Sequence, residues 1–275
     1  MSVVEPEAVL VAVVRDPATP YVVELALDRP QAHNALSTAM AEQIGLATRE
    51  LAADTSVRVV VLTSRAPKAF CVGADLKERN GYTDDQLRAQ RPVFRAAFGG
   101  ILDLPMPTIA AVHGFALGGG LELALSCDLV VADETAVLGL PEVTVGVIPG
   151  GGGTQLLVRR LGASRAADLI FTGRKLDIDE AQRLGLVDRR AAAGDDRSIA
   201  LVLAAQIAAN SPLGVRNAKH ALRAGAGLEM AAGLEIEDAA WHATAFSADR
   251  AEGVAAFTEK RAPEWPGQRH QQGAR

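Results

Sequence analysis

The chain has 275 residues, of which 49% are hydrophobic, and a formal net charge of −5 with a pI near 5.6. This content is sufficient for a large buried core, whereas the acidic balance argues against a nucleic-acid surface as the main function. The two cysteines are too few for a disulfide framework and lie in no metal-ligand spacing, so we expect a reducing, cytoplasmic compartment. We also expect neither a secretory leader nor a membrane span.

The first part of the chain predicts a β-hairpin, a helix and a buried strand. Two apolar runs, Val9–Val14 and Tyr21–Leu27, are separated by the turn-forming residues DPATP. A helix is predicted over Thr38–Ala53, with Ser37 as its N-cap and apolar residues at helical spacing. The β-branched run Val57–Thr63 is typical of a strand that is covered on both faces.

The next segment, SRAPKAFCVGADLKERNGY, follows no regular period, and we predict an irregular connection of functional importance. A helix is then expected from Asp84 to Leu104, where Pro105 and Pro107 end it. The apolar run Thr108–Val112 predicts another buried strand, which leads into the glycine-rich middle of the chain.

Two acidic residues stand out in the middle stretch, HGFALGGGLELALSCDLVVADETAVLGLPEVTVGVIPGGGGTQ. Gly118–Gly120 open a predicted helix that runs to about Ser126, and Glu122 lies in its first turn. A short strand is predicted in DLVVAD, and Glu142 follows in apolar sequence before the loop Gly150–Gly153, which begins another helix. Because a buried carboxylate is costly unless it is paired or used, these two acids are the most informative feature of the sequence.

Each of these features also has a purely structural interpretation. A glycine run alone is more typical of tight helix packing than of an anion site, although amides at a helix start do hold anionic oxygens. Glu142 is also compatible with a surface acid, but its apolar neighbours favour burial. His113, after a buried strand, is predicted to be a hydrogen-bonded core residue and not a metal ligand. The lysine of a Walker A loop, a GxGxxG after the first strand and a GxSxG elbow are all missing.

Strands and helices alternate through about residue 140, which predicts an α/β fold with a largely buried sheet. The chain then becomes helical, with a strand-like LVDRR and a polar break at Ala191–Asp196. We therefore predict a core over residues 1–195, beginning with a loose arm, and an α-helical region over residues 196–275, ending in a frayed tail. Four helices are expected in the second region, near Ser198–Asn210, Leu213–Gly225, Leu228–Phe246 and Asp249–Lys260.

Several long motifs in order carry a resemblance to a known family. They are LDRPQAHNALS, KAFCVGADLKE, HGFALGGGLELALSCDLVVAD, LPEVTVGVIPGGGGTQLLVRRLG, NSPLGVRNAKHAL and DRAEGVAAFTEKRAPEWPG. Through most of its length the chain resembles the enoyl-CoA hydratase/isomerase (crotonase) superfamily. The resemblance implies a crotonase-like (ClpP/crotonase) α/β spiral of ββα units with a C-terminal helical trimerisation region, assembled as a homotrimer or a dimer of trimers. It also implies an acyl-CoA ligand, no metal, and no cofactor apart from the coenzyme A of the substrate.

The resemblance assigns site residues as well. The two backbone N–H groups of the family's oxyanion hole match Ala74 and Gly119, and the two hydratase glutamates match Glu122 and Glu142. The positions that match CoA or substrate contacts, of which those near the last helix often belong to a neighbouring subunit, are Ala35, Gly73, Asp75, Leu76, Lys77, Gly118, Phe257 and Lys260. Gln31 stands where many members have a basic residue, which leaves one CoA phosphate contact unassigned.

The retained pair of acids predicts an enoyl-CoA hydratase, which adds water reversibly to a 2-enoyl-CoA thioester and gives 3-hydroxyacyl-CoA. The oxyanion hole would stabilise the thioester enolate, while Glu122 activates the water and Glu142 delivers a proton to C2. An enoyl-CoA double-bond isomerase or another acyl-CoA lyase of the superfamily is the first alternative. An RNA-binding member needs a lysine-rich first helix, which here has Arg49 as its single basic residue. A non-catalytic assembly protein is the remaining alternative.

Overall fold

The computed structural model describes residues 8–266, which form two β-sheets surrounded by helices. Residues 1–7 of the predicted arm and 267–275 of the predicted tail lie outside the described part. The strands are β1 (Val11–Arg15), β2 (Val22–Leu27), β3 (Val59–Ser64), β4 (Ala69–Cys71), β5 (Thr108–Val112), β6 (Phe115–Leu117), β7 (Leu129–Asp133), β8 (Val137–Gly139), β9 (Lys175–Leu176) and β10 (Arg189–Ala191). The α-helices are α1 (Thr38–Ala53), α2 (Leu76–Arg79), α3 (Asp84–Leu102), α4 (Gly119–Ser126), α5 (Gly153–Leu161), α6 (Ala163–Thr172), α7 (Ile178–Leu184), α8 (Asp196–Ala208), α9 (Pro212–Gly225), α10 (Met230–Ala245) and α11 (Ala248–Glu259).

The larger sheet has six strands in the order β1-β2-β3-β5-β7-β10. β1 and β2 form the predicted antiparallel hairpin, and all other neighbours in this sheet pair in parallel. β2 and β5 are buried along their whole length and β3 at all but its last residue, as their continuous apolar sequence predicts.

The smaller sheet, in the order β4-β6-β8-β9, is missing from the sequence prediction. Its strands have only two or three residues, too few for a hydrophobic period to be recognised. The predicted irregular connection after β3 is therefore partly wrong, because it contains β4 and the short helix α2.

The order of elements repeats along the chain. In the pairs β3–β4, β5–β6 and β7–β8, a strand of the larger sheet is followed by a strand of the smaller sheet and then by helical structure. This repeat is the predicted spiral of ββα units, and the fold class is confirmed.

The helices around the larger sheet have the bounds that their caps indicate. α1 spans the predicted residues, and the Ser37 side chain accepts a hydrogen bond from the Met40 N–H as its N-cap. α3 begins after a capping box formed by Thr83 and Gln86 and ends at Leu102, two residues before the predicted end. The apolar faces of both helices are buried in the main core.

The four predicted helices after residue 195 are present, with ends that differ by a few residues. α8 packs on the larger sheet, where Ala200 and Ala204 join a cluster with Val59, Ile109 and Val131. The division at residue 195 stays a prediction.

Within residues 8–266, no single helix is long and apolar enough to cross a membrane. The helices α8 and α9 pass that test only when they are taken together, across a bend of 108°.

The first residues of the predicted frayed tail are held against the helical region. The Trp265 indole N–H donates to the Ala209 carbonyl at 2.7 Å, and the Glu264 N–H donates to the Glu252 carboxylate at 2.6 Å. The prediction of fraying is therefore wrong for this part of the tail, because the indole ring packs beside Gly253 of α11.

Candidate active site

A cleft of about 600 Å³ lies where α2 and α3 face the start of α4 and the loop before α5. A second groove, of about 730 Å³, lies among the C-terminal helices and is lined by the exposed side chains of Trp241, Phe246 and Phe257. We place the chemistry in the first cleft because it contains both predicted acids. The predicted site residues that line it are Gly73, Ala74, Leu76, Gly118, Gly119, Glu122 and Glu142.

Two backbone N–H groups in the cleft wall have no acceptor in the described part of the chain. Ala74 forms an isolated bridge with Leu36 that uses the Gly73 carbonyl and the Asp75 N–H, so the N–H of Ala74 itself stays outside the bridge. Gly119 is the first residue of α4, where an N–H has no intrahelical acceptor. A Cβ built on Gly73 would lie 3.2 Å from the Gly119 nitrogen, so the two segments touch. This adjacency is what an oxyanion hole requires.

The glycine run that opens α4 serves two different purposes. A Cβ on Gly120 would lie 2.0 Å from the Cys71 carbonyl oxygen, so this glycine is required for α4 to pack on β4. A Cβ on Gly119 would lie 3.1 Å from Leu36 Cδ1 and 3.4 Å from Phe98 Cζ, which both line the cleft. The packing interpretation therefore applies to Gly120, whereas Gly119 faces the cleft wall.

Glu122 is buried, with 3% of its surface exposed, and its carboxylate is held by backbone groups. Glu122 Oε1 accepts hydrogen bonds from the N–H groups of Gly151 and Gly153, both at 2.7 Å. Burial raises the pKa of Glu122, whereas these two N–H groups and the nearby Arg91 charge act in the opposite direction. The carboxylate is thus fixed in position by hydrogen bonds, while desolvation outweighs them and leaves the pKa of Glu122 raised on balance.

The loop before α5 is what holds Glu122, a role that the sequence did not suggest for it. A Cβ on Gly151 would lie 2.6 Å from the Phe98 ring, and one on Gly153 would lie 3.0 Å from Glu122 Oε1. Only glycine therefore lets this loop approach closely enough for its amides to bind the carboxylate. The carboxylate also lies at the N-terminus of α5, where the helix dipole favours negative charge.

Glu142 lies in a single 3-10 turn, Glu142–Val145, and its environment differs from that of Glu122. Its Oε2 atom is buried and has no hydrogen-bond partner among residues 8–266. Burial raises the pKa of Glu142 to about 7, and the Glu122 charge acts in the same direction. Glu142 is therefore half-buried and not a free surface acid, and it holds a proton more readily than an exposed glutamate does.

The remaining residues that were predicted to contact coenzyme A or substrate do not line the cleft. The Asp75 side chain caps α2 through the Lys77 and Glu78 N–H groups and pairs with Arg29 at 2.6 Å, so it is already engaged. Lys77 is exposed and, like Ala35, is not among the residues that line the cleft. Phe257 is 86% exposed in α11 and Lys260 follows that helix, and neither residue lines the cleft.

The cleft wall contains side chains that sequence reasoning did not single out. They lie on α2 and α3 and are Arg79, Leu87, Gln90, Arg91, Phe94 and Phe98. The spacing of three to four residues from Leu87 to Phe98 places them along one side of α3, and this period was visible in the sequence. The sequence did not show which surface this side of α3 faces.

His113 is hydrogen-bonded, as predicted, but it is half-buried and belongs to neither hydrophobic core cluster. Its Nδ1 lies 3.1 Å from Asp196 Oδ2, and its Nε2 lies 2.8 Å from the Ala66 carbonyl oxygen. The bond to Asp196 raises the pKa of His113. Between residues 8 and 266, no group of three or more His, Cys, Asp or Glu side chains is arranged to hold a metal ion.

Comparison with known proteins identifies the family to which the chain is similar. The model of the family described as enoyl-CoA hydratase/isomerase matches residues 19–268. The mouse mitochondrial enoyl-CoA hydratase domain-containing protein 2 is 43% identical over 250 residues, covering 90% of this chain and 84% of that protein. Human mitochondrial methylglutaconyl-CoA hydratase is 40% identical over 251 residues, covering 90% of this chain and 74% of that protein.

Solved structures agree as well. The crystal structure of enoyl-CoA hydratase from Bacillus anthracis superposes with a TM-score of 0.91 at 42% identity, covering 94% of this chain and all of that one. The α/β fold of this chain is thus shared with solved proteins of one family. The chain belongs to the enoyl-CoA hydratase/isomerase family, within the crotonase superfamily.

Proposed function

We propose that the protein is an enoyl-CoA hydratase, which adds water reversibly to a 2-enoyl-CoA thioester. The observation that supports this most directly is the pair of glutamates that line one cleft in two different hydrogen-bonding environments. Glu122 is held by two backbone N–H groups that favour the carboxylate, whereas Glu142 has a buried, unpartnered oxygen and a pKa of about 7. One base and one acid side by side are what the addition of water to a double bond needs.

The thioester carbonyl oxygen would accept hydrogen bonds from the Ala74 and Gly119 N–H groups. As the nucleophile attacks C3, electrons of the C2–C3 double bond move toward the carbonyl and negative charge develops on this oxygen. Two preorganised donors stabilise that enolate, and such stabilisation is often the largest single catalytic contribution.

The two acids complete the addition. The oxygen of the water bonds to C3 while the proton that it loses passes to the Glu122 carboxylate. The enolate collapses as C2 takes a proton from Glu142, which restores the thioester carbonyl. Proton exchange with solvent then returns Glu122 to its ionised form and Glu142 to its protonated form. These steps require no metal or redox cofactor.

Isomerisation of a 3-enoyl-CoA to the 2-enoyl-CoA is the second candidate, because a single acid with a pKa of about 7 can move a proton between C4 and C2. The deciding experiment follows the conjugated absorbance of 2-enoyl-CoA and 3-enoyl-CoA thioesters with the purified protein. Hydration removes this absorbance from the first substrate, whereas isomerisation alone creates it from the second. Retention of the 2-enoyl absorbance would refute the hydratase proposal.

We further propose that the active form is a homotrimer or a dimer of trimers located in the cytoplasm. The C-terminal helices expose the large apolar side chains of Trp241, Phe246 and Phe257 around one groove, which a second copy of the chain would cover. In such an assembly Phe257 and Lys260 would reach the coenzyme A bound by a neighbouring subunit. The acyl-CoA is the only ligand in this proposal, and neither a nucleic acid nor a membrane is a partner.

A further inference from the structure

The two proposed oxyanion-hole donors have different surroundings. The Gly119 N–H stands at the start of α4, where the Gly118 carbonyl of the same peptide group accepts a helical hydrogen bond from the Glu122 N–H at 3.0 Å. The helix dipole therefore strengthens this donor. Ala74 has no helix of comparable length, because α2 has four residues and begins two residues later. The polarisation of the Ala74 N–H must come from another part of the structure.

A continuous series of hydrogen bonds leads from the Arg29 guanidinium to the Ala74 N–H. Arg29 Nη1 donates to the Ala35 carbonyl oxygen at 2.8 Å. The N–H of that same peptide group belongs to Leu36 and donates to the Gly73 carbonyl oxygen at 2.8 Å. The N–H of this second peptide group is that of Ala74. Two peptide groups thus connect a permanent positive charge to the proposed donor, and we call this series the Arg29 relay.

The relay also fixes the direction of the donor. A peptide group is planar and trans, so its N–H points away from its C=O. Because the Gly73 carbonyl points to the Leu36 N–H, the Ala74 N–H points away from the Leu36 backbone and is left for a ligand in the cleft that Ala74 lines. The Asp75 N–H donates to the Leu36 carbonyl at 2.9 Å, so the backbone is held on both sides of Ala74.

The segment between Arg29 and Ala35 has an unusual conformation. His33 and Asn34 are consecutive non-glycine residues with φ angles of 50° and 53°, in the left-handed region that residues with a Cβ rarely adopt. The Asn34 side chain stabilises this bend, because its Nδ2 donates to the Phe70 carbonyl at 2.9 Å and its Oδ1 accepts from the Arg29 N–H at 2.7 Å. The strained bend brings the Arg29 side chain back to the carbonyl of a residue six positions later.

Asp75 is the ionic partner of Arg29 and the next residue after the proposed donor. Arg29 Nη1 donates to Asp75 Oδ2 at 2.6 Å, and both side chains are largely buried, so water screens the pair little. Burial raises the pKa of Asp75, but the hydrogen bond from Arg29 lowers it, and the pKa is lowered on balance. A carboxylate this close to an oxyanion donor would oppose the enolate unless its charge were compensated. The pair therefore adds little net charge, and the influence of Arg29 on Ala74 passes through the hydrogen bonds.

We propose that Arg29 is a positioning residue for the hydration, which polarises and aims the Ala74 N–H through the two intervening peptide groups. This proposal rests on the oxyanion hole of the proposed function and adds a residue that does not line the cleft. In a series of hydrogen bonds each bond strengthens the next by about 10–30%. The enolate carries more charge on its oxygen than the thioester does, so a more polarised donor favours the transition state over the bound substrate.

The first measurement is the infrared carbonyl stretch of an acyl-CoA bound to the full-length protein. Butyryl-CoA, isotopically labelled at the thioester carbonyl carbon, is saturated and therefore binds without being hydrated. Hydrogen bonding weakens the C=O bond, so the parent protein should shift this band below the frequency of free butyryl-CoA. Arg29→Met should return about 10–30% of that shift toward the free value.

The second measurement is the hydration of a 2-enoyl-CoA by the same variant. We expect kcat to fall about 3- to 30-fold, less than the 10²–10³-fold that the loss of a whole donor costs, because the Ala74 N–H is still present. KM should stay within about twofold of the parent value, since the lost interaction is made mainly in the transition state. A merely structural role would lower the melting temperature and leave the frequency and kcat of the folded protein unchanged.

Two further variants guard against misfolding and identify the path of the effect. Arg29→Met alone leaves Asp75 buried without its partner, whereas the double variant Arg29→Met/Asp75→Asn removes both charges and keeps an N-cap for α2. The double variant should still lose part of the shift and of kcat, because the relay is interrupted in it as well. Arg65→Met is the matched control and should match the parent: Arg65 pairs with Asp28 at 2.8 Å, but its guanidinium donates to no backbone carbonyl within residues 8–266.

The outcomes separate the relay from the hydratase proposal. Parent frequency and kcat in the folded Arg29 variants overturn the relay alone. A raised KM at unchanged frequency overturns it in favour of a coenzyme A contact, and full recovery in the double variant overturns it in favour of simple neutralisation of Asp75. If the parent protein does not hydrate 2-enoyl-CoA, the hydratase proposal fails. A band shift that is smaller in the Arg29 variants would then still support the relay, and the absence of any shift in the parent would overturn it.

Discussion

Glu122→Gln tests the assignment of the base, because this substitution removes the basicity of the side chain and leaves its position intact. Glu122 Oε1 accepts from the Gly151 and Gly153 N–H groups at 2.7 Å each, and an amide oxygen at the same place accepts from both. The loop before α5 therefore keeps its hydrogen bonds, and the change is confined to charge and proton affinity.

The expected loss of hydration activity is about 10²- to 10⁴-fold, which is the usual contribution of general acid–base catalysis. At about 1.36 kcal/mol for each factor of ten, this corresponds to roughly 2.7–5.4 kcal/mol in activation free energy. We expect the free energy of unfolding to change by no more than about 1 kcal/mol, or roughly 2–4 °C in melting temperature, because a desolvated charge is lost while its hydrogen bonds stay. The variant should fold normally and turn over slowly.

The assay follows the conjugated absorbance of a 2-enoyl-CoA and expresses turnover per folded protein, with folding checked by thermal melting. Glu50→Gln provides the matched control, since Glu50 is exposed on α1 and does not line the cleft. The double variant with Glu142→Gln should lose far less than the product of the two single losses, because the two acids act as a unit. Near-parent turnover by a well-folded Glu122→Gln variant would refute the assignment.

Three further predictions follow from the geometry. Glu142 must be protonated to act as the acid, and its pKa is raised to about 7, so kcat/KM should fall as pH rises through that value. The Glu142→Gln variant should not show this fall at alkaline pH. A fall in kcat/KM that persists in the variant would contradict the assignment. Gly120→Ala should lower the melting temperature, because its Cβ would meet the Cys71 carbonyl at 2.0 Å. Gly119→Val, if it melts like the parent, should still lose about 10²–10³-fold in turnover. Parent-like turnover of this second variant would show that Gly119 is not part of the oxyanion hole. Sedimentation at micromolar concentration should give a trimer or hexamer that Phe257→Asp dissociates, since this side chain is 86% exposed in the protomer; a fully active monomer would contradict the proposed assembly.

The local signals in the sequence were sufficient for most of the regular structure. The β1–β2 hairpin, the bounds and the Ser37 cap of α1, and the start of α4 all depend on residues close together in the chain. Both acids could also be selected, because a charged residue in apolar, glycine-rich sequence is conspicuous without any knowledge of the fold. The family motifs added the two positions that we propose for the oxyanion hole.

The smaller sheet and the role of its neighbouring glycines could be recognised only in three dimensions. β4, β6 and β8 have three residues each, and strands this short carry no period of their own. The need for Gly120 comes from a contact with Cys71, which is distant in sequence. Such requirements depend on how closely two segments pack, and no local pattern records that distance.

The sequence by itself determined which residues we propose for the chemistry, whereas the tertiary structure decided their surroundings and hydrogen-bond partners. Glu122 is held by amides 29 and 31 residues further along the chain, and Glu142 acquires its raised pKa from burial and from the charge of Glu122. Arg79 is oriented by Gln90 and Phe94 of a different helix. A residue's type is fixed by its codon, but its proton affinity and its free hydrogen-bonding capacity depend on desolvation and on partners that only folding brings within reach.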